Sequence, residues 1–153
     1  MDQDKNGTLR LTRGFRSASK GMQRLWLCIL LVGVHSLALG TFIFFFTESF
    51  YYLFFGTKVV NFFFVQQAGL FLFCLGLFYL VPLPDLERNH RLVDVMIITK
   101  IMAVLFLLIN TRLVPRPEII FLAAVGDSAM AILLIVLSRA AGLLLKKSVR
   151  PFV

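Results

Sequence analysis

Apolar residues fall in four long blocks, at about 25–46, 60–81, 92–110 and 119–138, rather than at the three-to-four-residue spacing of a helix with one wet face. Each block reaches the roughly 20 residues that an α-helix needs to cross the hydrocarbon of a bilayer. The pattern predicts an all-α protein, an integral membrane four-helix up-down bundle. A basic tail at 1–24 precedes a four-span membrane domain at 25–138, and a second basic tail at 139–153 follows. Only short loops and the two tails are left over, too little for a soluble catalytic domain.

About 24 residues precede the first block, its apolar run is too long for a signal-peptide core, and no small-x-small site follows Phe46. It is therefore expected to remain as a helix. Within residues 8–26, Leu11, Phe15, Ala18, Met22 and Leu25 recur at helical spacing between basic positions. That stretch reads either as an amphipathic helix on the membrane surface or as a plain basic tail.

Composition agrees with the membrane class: 59% of residues are hydrophobic and the mean hydropathy is +0.86. The distribution of the net charge of +8 says more than its size. If the spans alternate, twelve lysines and arginines of the tails and the second loop fall on one side, against Lys58, Arg112 and Arg116 on the other. The positive-inside rule then places both termini in the cytoplasm, next to the anionic inner leaflet. Topology and membrane lipids explain the basic excess, so nucleic acid is not needed as a partner. Cys28 and Cys74 lie inside spans without metal-ligand spacing and read as buried free thiols. No phosphate-binding loop, nucleophile elbow or zinc-protease pattern occurs in the chain. No catalytic residue, metal ligand set or resident cofactor is therefore expected.

The polar residues inside the blocks are the candidate sites. Lys100 in the third and Asp127 in the fourth each carry a charge that costs roughly 2.5–3.5 kcal/mol in hydrocarbon unless it finds a partner. Opposite signs on consecutive spans predict that they pair. The pair reads as a registry-fixing ion pair, as a proton- or ion-handling site of a small carrier, or as part of a pocket for an apolar ligand. Gln66 and Gln67 are candidates for hydrogen-bonding glue between helices.

The first span has two marked faces. Gly33, Ser36 and Gly40 form a small-residue seam, and His35 lies opposite them on a stripe with Leu31, Leu39 and Phe42. Gly69 and Gly76 of the second span repeat the seven-residue spacing of Gly33 and Gly40, so the two seams are expected to meet and to leave His35 facing outward. Counting ~1.5 Å per residue, His35 and Asp127 lie about 16 Å deep and Lys100 about 12 Å. A mid-depth histidine suits contact with another membrane subunit, a hydrogen bond to Asp127, or axial ligation of a haem or chlorin.

With Asp85, Glu87, Arg88, Lys100 and the Gly126-Asp127 pair in view, residues 25–138 resemble a loose group of small bacterial four-helix membrane proteins of unassigned function. In that group an acidic-basic turn follows the second span, a lysine lies in the third and a Gly-Asp pair in the fourth. The resemblance implies the bacterial inner membrane and no activity. The basic N-terminal tail and the seventeen phenylalanines depart from it. Together these features point to a non-enzymatic accessory or assembly subunit of a larger membrane complex, with the carrier and the cofactor-binding subunit as the rival readings.

Overall fold

The computed structural model describes residues 19–144. They form α1 (Lys20–Phe45), α2 (Thr47–Phe55), α3 (Phe62–Leu80), α4 (His90–Asn110), a 3-10 turn at Thr111–Leu113, and α5 (Pro117–Ala140), with no strand among them. Four of these helices are long and apolar enough to cross a membrane: α1, α3, α4 with its 3-10 turn, and α5. The first part of the basic tail lies outside the described residues. Its last part does not form a separate surface helix, because Lys20 to Arg24 are the first residues of α1. Long basic side chains at the end of a span can keep their stems apolar and their charges at the interface, so the helix starts earlier than its apolar block.

Local chemistry sets the ends. Ser19 caps α1 by accepting the Met22 amide at 3.3 Å, and Asn61 caps α3 by accepting that of Phe63 at 3.0 Å. Pro117 opens α5, where a missing N–H costs nothing, and Glu118 and Arg139 match the helix dipole at its two ends. Past α5, Gly142 adopts φ 69°, its amide bonds Arg139 O, and the Leu143 amide bonds Ser138 O at 2.9 Å. This six-to-one closure turns the chain so that Leu143 tucks into the core. Between α3 and α4, Asp85 does not begin the helix. Its carboxylate accepts the Arg88 amide at 3.0 Å in a turn, and α4 starts only at His90.

α1 is the central helix, lying along α3 on one side and α5 on the other, while α4 packs on α5 and approaches α3 much less. The α1–α3 contact is made backbone to backbone by glycines. A Cβ on Gly40 would sit 2.5 Å from Phe73 N and 2.8 Å from Gly69 O, and one on Gly76 would sit 2.8 Å from Leu37 N and 3.1 Å from Gly33 O. Gly33 thus faces Gly76 and Gly40 faces Gly69, which means that α1 and α3 run in opposite directions. Nothing larger than glycine fits this seam without parting the helices.

The densest core lies toward the end where the described chain begins and finishes. There Leu25, Ile29 and Val32 of α1 meet Tyr79, Leu86, Met96, Leu134 and Leu143. Trp26 ties α1 to the turn after α3, donating its indole N–H to Leu83 O at 3.1 Å. Elsewhere the helices turn large apolar side chains outward, among them Phe64 (65% exposed), Phe71 (63%), Phe106 (64%) and Leu122 (70%). An apolar surface of that extent is what a lipid-facing bundle presents and what a water-soluble monomer avoids.

α2 is a short helix beyond the far end of α1. Gly56, at φ 70°, ends it. Arg116, just before α5, holds it by donating to Leu53 O at 3.2 Å and by lying 5.5 Å from the Tyr52 ring centroid.

Candidate functional site

The polar groups of the spans fall into two places, one inside the bundle and one on its outside. Inside, Lys100 is 5% exposed, and its Nζ lies 2.6 Å from Asp127 Oδ1. Asp127 stands between the buried Ala124 and Ala131, whose short side chains leave room for α4 to come close. Gly126 has no packing role, since a Cβ there would meet nothing. One residue before Lys100, Thr99 donates to Met96 O at 2.9 Å. Its single proton is therefore spent, and Tyr79 is the donor in the 2.8 Å bond between Tyr79 Oη and Thr99 Oγ1 that links α3 to α4.

A further inside group is Ser36. It lies on the glycine face of α1, is 1% exposed, and its hydroxyl has no partner among the described residues. Gln66 and Gln67 are half-buried and make no hydrogen bond to a described residue. Near the end where the described chain begins and finishes, His90 Nδ1 bonds Glu87 O at 3.0 Å, while His90 Nε2 and Asp94 Oδ1 are buried with no partner among the described residues.

Outside, His35 is exposed and has no hydrogen bond to Asp127 or to any other described residue. It stands on the face of α1 away from α3, at one end of a groove of about 390 Å³ between α1 and α5. Arg24, Cys28 and Leu31 continue the α1 wall and Leu133 and Leu137 form the α5 wall. His90, the other histidine, begins α4, so the two imidazoles are not a pair placed on one ligand. Among the described residues no group of three or more histidine, cysteine or carboxylate side chains is placed to hold a metal ion.

The structure thus brings Lys100 to Asp127 and both glycine pairs together, and keeps His35 apart from all of them. The groove itself is absent from the sequence reading. Its signal was present in part, because positions 24, 28, 31 and 35 share one line on an α-helix. A line becomes a groove only when a second helix stands beside it. Comparison with known protein families, with curated proteins and with solved structures finds no match for this chain.

Proposed function

We propose that this protein is a non-enzymatic accessory or assembly subunit of a larger membrane complex, built as an up-down four-helix bundle in the bacterial inner membrane with both termini in the cytoplasm. The observation that carries this reading is His35, a polar ring midway along a spanning helix, turned outward and without a partner in its own described chain. A bare imidazole facing hydrocarbon forgoes its hydrogen bonds, and a neighbouring subunit supplies them. The inner polar residues fit the same reading. Lys100 is closed against Asp127 at 2.6 Å and nearly inaccessible, the geometry of a pair that fixes the register of α4 on α5.

The test is extraction in a mild, lipid-preserving detergent followed by native electrophoresis. The wild-type chain is expected in an assembly well above its own 17.4 kDa, and His35→Leu in the free form with an unchanged melting temperature. A wild-type chain that migrates alone from every mild extract contradicts the proposal.

A further inference from the structure

We propose that the groove between α1 and α5 binds one anionic phospholipid from the leaflet on the side where the described chain begins and ends. The headgroup phosphate lies against Arg24, and one acyl chain runs along Cys28, Leu31, Leu133 and Leu137 as far as His35.

Three features select this occupant. The first is charge: Arg24 is the single formally charged residue among those lining the groove, and it lies at one end. The start of α1 lies against the end of α5, where a Cβ on Gly21 would be 3.2 Å from Ala140 O, so the exposed Arg139 stands at the same end of the bundle. The second feature is length. Arg24 and His35 are eleven residues apart on one helix, a rise of about 16 Å at ~1.5 Å per residue, against about 15 Å for half of a ~30 Å hydrocarbon core. The groove is therefore one leaflet deep. The third is shape and lining. Leu27, Leu31 and Leu133 are 50%, 60% and 52% exposed along an open apolar groove whose walls are two helices of the same chain.

A second copy docked through the same face about a two-fold axis would bring Arg24 against its own counterpart, a like-charge contact. A phospholipid meets the cation with an anion and fills the groove with a chain of matching length. The lipid occupies the groove below His35 and leaves the outward side of the imidazole open, so this proposal stands apart from the assembly reading.

Cys28 in the groove wall provides the readout. In full-length protein carrying Cys74→Ala, Cys28 is the sole thiol, and its modification by N-ethylmaleimide is followed in micelles with added phosphatidylglycerol or phosphatidylcholine. Lipid adducts are counted by native mass spectrometry on the same samples. Phosphatidylglycerol is expected to slow the modification and to be retained as one adduct, with phosphatidylcholine much weaker. Arg24→Gln should lower that retention about tenfold, as the loss of one charge-assisted contact implies, while Arg91→Gln leaves it unchanged. Leu31→Trp, which fills the groove and keeps every charge, should abolish it. Equal protection by the two lipids, or Arg24→Gln behaving like Arg91→Gln, overturns the proposal. So does protection of Cys28 that depends on protein concentration or on a co-purifying polypeptide. Lost lipid with an intact assembly, or the reverse, separates this site from the His35 contact.

Discussion

Lys100 and Asp127 face each other across the α4–α5 contact with Nζ and Oδ1 2.6 Å apart, a charge pair enclosed by helices whose outer surfaces are apolar. Removing one partner strands the other charge, whereas removing both leaves an apolar gap. Lys100→Ala and Asp127→Ala are each expected to lower unfolding stability in detergent by about 3 kcal/mol, and the double variant to recover much of that loss. Additive losses in a double-mutant cycle would show that the two residues do not depend on each other.

The glycine seam makes a sharper prediction because it has a built-in control. Gly40→Ala pushes a methyl group to within 2.5 Å of the Phe73 backbone and should cost about 1–3 kcal/mol as α1 and α3 part. Gly126→Ala meets open space and should be neutral or stabilising by up to about 1 kcal/mol. Thermal unfolding of the two variants side by side checks the difference, and equal behaviour would refute the seam.

How far the sequence carries the structure differs from element to element. The approach of Lys100 to Asp127 was legible because opposite charges in consecutive apolar blocks have few other places to go. The meeting of Gly33 and Gly40 with Gly76 and Gly69 was legible because two seven-residue spacings match, and matching small residues is how helices approach in lipid. α2 was not legible. TESFYYLFF has no clear period, and its position depends on Arg116, which is 63 residues from the Leu53 carbonyl it holds. The α1–α5 groove was hidden for a similar reason, since neighbour relations among four equally apolar helices are not written in their periodicity. α4 starts at His90, two residues before its apolar block, because Asp85 serves the preceding turn through the Arg88 amide, a local bond that competes with helix.

Arg116 offers a test of the α2 anchor. Arg116→Ala removes both the bond to Leu53 O and the contact with the Tyr52 ring. Hydrogen–deuterium exchange should rise across Thr47–Phe55 and stay unchanged in α1 and α3. No change in α2 would mean that its apolar side chains alone hold it in place.

The proposed orientation rests on the basic residues of the two tails and of the turn before α4. In a background lacking Cys28 and Cys74, single cysteines at Thr57 or Thr111 should react with a membrane-impermeant maleimide added outside intact cells. Cysteines at Asn89 or Ser148 should react only after permeabilisation. The reverse pattern would place the tails outside.

The assembly reading is tested most directly by a photo-crosslinking amino acid at position 35 in the full chain, irradiated in intact membranes. The account predicts a discrete crosslink to another polypeptide from position 35, and none from position 106, where the exposed Phe106 stands on α4, a helix that lines no part of the groove. Crosslinks from position 35 to lipid alone, or the same polypeptide adducts from both positions, would contradict it.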